Sequence, residues 1–97
     1  MSDQWRASLV KFFGLPREIV MSMPLIMLLG DRQIYLEQHR GIESFTEEEI
    51  KVLLASGSLR IRGSSLIIEE IVPECLKIKG NFSSLSFIPD SGGEDDD

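Results

Sequence analysis

The chain has 97 residues, 42% of them apolar and 27% charged, the size and composition of one small soluble domain and too little for two. Its formal charge is −6, but Asp90, Glu94, Asp95, Asp96 and Asp97 supply five of the sixteen acids, so the remaining body is within one charge of neutral. Such a body lacks the cationic surplus that nucleic acid requires, and one cysteine with one histidine, Cys75 and His39, excludes an internal disulfide and any standard Cys/His zinc site. Free cysteine fits a reducing, cytoplasmic compartment.

Residues 1–14 read as an amphipathic helix. Ser2 is placed to cap it, and Trp5, Leu9, Phe12 and Phe13 recur at i, i+4, i+7 and i+8 with Arg6 and Lys11 off that face. Gly14 and Pro16 stop it. The plainer expectation packs this helix on its own domain; the functional one lays its aromatics on a partner or, peripherally, on a membrane surface. Residues 15–23 add one more helical turn or a loop in which Met21 and Met23 pack on the core. The longest apolar stretch, 19–29, is broken by Ser22 and Pro24 and falls well short of the ~20 residues that span a bilayer. No signal peptide is expected, since no basic segment leads into an apolar run with a small-residue cleavage site.

From Leu25 the period becomes strand-like. Strands are expected at about 25–29, 32–38, 41–45, 49–55, 58–62, 65–71, 75–80 and 82–88, with turns at Gly30-Asp31, Arg40-Gly41, Ser56-Gly57, Gly63-Ser64, Val72-Pro73 and Gly80-Asn81. Links this short cannot carry parallel crossovers, so the fold class is mainly β: residues 15–89 form a small antiparallel meander, closed as a sandwich or rolled sheet. Thr46 with Glu49 forms a capping-box pattern that suits a helix, but Ile50, Val52 and Leu54 alternate and lead straight into the next strand. The expectation is a strand. Residues 90–97 have nothing apolar to dock and are expected to be a disordered, solubilising acidic tail.

Two segments echo each other seventeen residues apart as L-basic-I-basic-G, Leu59 to Gly63 and Leu76 to Gly80. Alternation puts Leu59, Ile61, Leu76 and Ile78 inside and Arg60, Arg62, Lys77 and Lys79 outside. If the strands share a sheet, four cations share a face, either as a docking surface for an acidic partner or anionic lipid, or as a solvated face balanced by Glu69, Glu70 or Glu74. His39 lacks an identifiable nucleophile and orienting group, although Glu37, Glu43 and Ser44 are near in sequence, so it reads as a turn residue bonded to the backbone. The run Glu47 to Glu49 has no calcium-loop pattern, and no phosphate-cradling Gly loop or nucleophile elbow occurs. Cys75 reads as a small buried hydrophobe. No catalytic residue, metal or cofactor is assigned.

Leu15-Pro16, Pro24-Leu25-Ile26, Leu36-Glu37-Gln38-His39-Arg40-Gly41-Ile42, Ser56 to Gly63 and Ile78-Lys79-Gly80 resemble, in order and spacing, the YabP/YqfC family of sporulation proteins over about residues 15–88. The turn Glu37, Gln38, His39, Arg40 and Gly41 is the most distinctive piece. Gln38 stands where the family more often has Asn, which accepts left-handed geometry better, and the acidic tail runs past the usual end. The resemblance implies a non-enzymatic mother-cell protein made during spore formation. It implies work beside a sporulation membrane protein of the YqfD kind, in spore envelope or cortex assembly; the residues themselves offer strand addition at an open edge or the aromatic helix face as the means. Under that reading Trp5, Leu9 and Phe12 are the helix contacts, and Arg60, Arg62, Lys77 and Lys79 steer the partner. The alternative is a self-assembling structural protein of the developing spore.

Overall fold

A computed structural model describes residues 3–16, 18 and 23–90, with side chains from Ala7 onward within that set. The expectations for the Ser2 cap, the Trp5 side chain, most of 17–22 and the tail beyond 90 lie outside the described residues. Helix α1, Asp3–Phe13, ends where the Gly14 N–H bonds the Val10 carbonyl at 2.9 Å and Gly14 turns left-handed at φ 68°. Six strands follow: β1 Leu25–Leu29, β2 Gln33–Glu37, β3 Ile42–Phe45, β4 Glu49–Leu54, β5 Gly57–Val72 and β6 Cys75–Ile88. All pairings are antiparallel, in the order β1-β2-β6-β5-β4-β3. Strands β3 to β6 run as the expected meander, and the β1–β2 hairpin joins it on the far side of β6.

The expected turns at Gly63-Ser64 and Gly80-Asn81 are instead bends inside the two long strands β5 and β6. Register shifts fall between Arg62 and Gly63 and between Ser64 and Ile67, and such bulges bend a strand without ending its pairing. Glycine is required there because the neighbouring chain is too close for a side chain. A Cβ on Gly63 would collide with the Asn81 carbonyl, and one on Gly80 would lie 2.8 Å from Leu66 Cδ2 and 2.9 Å from the Ser65 carbonyl oxygen.

The bends divide the sheet into two halves. One comprises β3, β4, residues 57–62 and residues 82–88; the other comprises β1, β2, residues 75–79 and residues 67–72. Ile50, Val52, Leu59 and Ile61 from the first half, Ile34, Leu36, Leu76 and Ile78 from the second, and Leu66 at the bend form one buried cluster. The sheet is therefore folded on itself as a sandwich. Each enclosed Leu or Ile contributes on the order of 1.5–3 kcal/mol.

Thr46 explains the helix-like signal near it. Its Oγ1 accepts the N–H groups of Glu48 and Glu49 at 3.1 and 2.9 Å, while its own N–H bonds the Glu49 carbonyl at 2.8 Å. The same reach that caps a helix here closes the β3–β4 hairpin.

Candidate functional site

Between β2 and β3 the chain must pass from the second half-sheet to the first, and residues 38–41 make that crossing. Gln38 is left-handed at φ 67° and Gly41 at φ 117°. These reversals turn His39 inward, where it is 9% exposed. The Gly41 N–H donates to Nδ1 at 3.0 Å, so that nitrogen is the acceptor and the proton sits on Nε2, which donates to the Val72 carbonyl at 2.8 Å. Arg40 N–H bonds the Leu53 carbonyl at 2.7 Å, and Leu53 N–H bonds the Gly41 carbonyl at 2.8 Å. His39 thus ties the crossing to the β5–β6 hairpin tip, and both ring nitrogens are engaged by main chain.

Beside the crossing, the Tyr35 hydroxyl donates to Glu37 Oε2 at 2.9 Å. Burial first, and then the adjacent Glu37 carboxylate, push the Tyr35 hydroxyl well above the usual tyrosine range. Glu37 pairs across the strands with Cys75, which is half-buried rather than enclosed. The Tyr35–Glu37 pair was not visible in the sequence argument, although residues two apart in a strand share a face. Among the described residues no group of His, Cys, Asp and Glu is arranged to hold a metal ion.

The four cations do not share a face as expected. Arg60 and Arg62 lie opposite Ser86 and Ser84 in the first half, whereas Lys77 lies opposite Glu70 and Lys79 opposite Ile67 in the second. The bends at Gly63 and Gly80 separate the two basic pairs onto different layers. Three of them meet carboxylates of their own sheet: Lys79 with Glu69 at 3.1 Å, Lys77 with Glu70 at 3.5 Å, and Arg60 Nε 2.8 Å from Glu49 Oε2. The Arg60 contact is close but off the line of a hydrogen bond, so its attraction is coulombic.

On α1, Phe12 and Phe13 are 79% and 61% exposed and touch edge to face at 4.9 Å; Leu9 is half-buried. Among the described residues α1 approaches no strand, and Ala7 and Val10 on it are half-buried like Leu9. None of the described helices is long and apolar enough to cross a membrane.

Residues 22–94 match the family model described as the YabP family. Over 86 residues, covering 89% of this chain and 92% of the relative, the sequence is 29% identical to the uncharacterized protein YqfC of Bacillus subtilis (strain 168).

Proposed function

The chain belongs to the YabP family, and from that membership we propose that it is a non-enzymatic sporulation protein. In this reading it is a mother-cell β module, peripheral at a membrane, that docks a sporulation membrane protein of the YqfD kind and supports spore envelope or cortex assembly. The observation that carries the docking reading is the aromatic end of α1. Phe12 and Phe13 stand in water, each forgoing on the order of 1.5–3 kcal/mol that burial would supply. A groove that takes an amphipathic helix by its apolar face supplies that burial. Arg60, Lys77 and Lys79 are left out of the docking surface, because carboxylates of their own sheet offset them.

The test is the full chain carrying Trp5→Ser and Phe12→Ser together, expressed in sporulating cells. Recruitment to the membrane fraction is expected to be lost while the purified variant melts like the parent, because α1 approaches no strand among the described residues. Unchanged recruitment would contradict the helix contact.

A further inference from the structure

Among the described residues the folded sheet has four open edges, and three carry features that discourage pairing with another strand. Strand β3 has Glu43 and a register shift between Ile42 and Ser44. The later part of β5 has Glu69, Glu70 and two register shifts. The later part of β6 has a register shift that leaves Ser83 as an extra residue between Phe82 and Ser84. Strand β1 has none of these: Leu25, Ile26, Met27, Leu28 and Leu29 are uncharged and keep unbroken register with β2. Leu28 and Leu29 are 53% and 68% exposed.

The main chain fixes what this edge offers. Arg32 N–H bonds the Leu29 carbonyl at 3.2 Å, and Gly80 N–H bonds the Arg32 carbonyl at 3.0 Å. Arg32 therefore faces β6, its neighbour Gln33 faces β1, and Gln33 pairs with Leu29. Antiparallel alternation then turns Leu25, Met27 and Leu29 toward β2 and leaves the N–H and C=O of Ile26 and Leu28 on the open edge.

We propose that this edge binds a second copy of the same chain, β1 against β1, antiparallel about a twofold axis through Met27. In that register Ile26 of each copy faces Leu28 of the other, and every outward N–H and C=O on both strands finds a partner. Any shift along the strand leaves some of them unpaired. No charge opposes its copy, and Leu28 comes to rest on the other copy's Ile26, which already packs on the core, so the two cores join. The same symmetry that makes the strand its own complement closes the pair and stops growth. This inference does not depend on the docking role of α1.

Sedimentation of the full chain over a wide concentration series, with three variants, tests it. The parent is expected to move from one-chain toward two-chain mass and no further. Leu29→Lys, at an exposed position, should keep the parent's circular dichroism and stay at one-chain mass, while Phe87→Lys, at another edge, should dimerise like the parent. Met27→Cys in a Cys75→Ser background should give a covalent dimer on mild oxidation, since facing non-hydrogen-bonded residues have Cα atoms about 4.5 Å apart. A parent that stays one chain throughout, a mass that grows without limit, a dimer indifferent to Leu29→Lys, or no Met27→Cys crosslink would each overturn the proposal.

Discussion

The two half-sheets share one inner pattern and differ on the outside. Leu59 and Ile61 in one copy of the L-basic-I-basic-G segment, and Leu76 and Ile78 in the other, are all at most 1% exposed. Outside, two rows of the first half are polar, Ser44, Lys51, Arg60 and Ser86, then Glu49, Arg62 and Ser84, while a third, Leu53, Ser58 and Ile88, is largely apolar. The second half instead presents Leu29, Gln33, Lys79 and Ile67, then Met27, Tyr35, Lys77 and Glu70. The inner faces are equal, whereas the second half leaves more apolar surface in water, at Leu29 and Ile67, than the first does at Leu53.

Breaking the inner equality should have the largest effect. Leu59→Ala and Leu76→Ala should each cost about 3–5 kcal/mol in urea unfolding, by similar amounts; a much smaller loss for Leu76→Ala would mean that the second half does not belong to the same cooperative core. Gly63→Ala should cost about 3 kcal/mol through the backbone collision at the bend. His39→Ala should cost about 2 kcal/mol, because the Val72 carbonyl and Gly41 N–H lose their partner.

Tyr35→Phe sharpens the outer difference, at about 1 kcal/mol near neutral pH. Because the folded protein holds the Tyr35 proton more tightly than the unfolded chain, its contribution is fully present below the ordinary tyrosine value of about 10 and is lost as pH rises beyond it. Unfolding curves of Tyr35→Phe should therefore show a shallower alkaline decline than the parent. The smallest change concerns the crossing: Gln38→Asn should raise the melting midpoint by the equivalent of about 0.5 kcal/mol, since Asn tolerates the left-handed backbone better.

Strand positions were legible because Ile50, Val52, Leu59, Ile61, Leu76 and Ile78 alternate with polar residues, and strand period is a local signal. The bends were not legible. Gly63 and Gly80 carry the same composition as hairpin turns, and only the close approach of Asn81 to Gly63, and of Ser65 and Leu66 to Gly80, distinguishes the two. That error placed four cations on one face. The pairing of β2 with β6 joins segments about forty residues apart, which no local pattern encodes. His39 was legible as a backbone-bonded turn residue, whereas its partner Val72, 33 residues away, was not.

The family turn at 37–41 is accordingly the device that closes the sandwich, and the proposed docking role is assigned to surfaces outside it. The most direct test of that role is a crosslinked pull-down of the tagged full chain from the membrane fraction of sporulating cells, identified by mass spectrometry against a vegetative control. The account predicts recovery of a membrane protein specific to sporulation. Recovery of the chain alone, or of nothing from membranes, would contradict it.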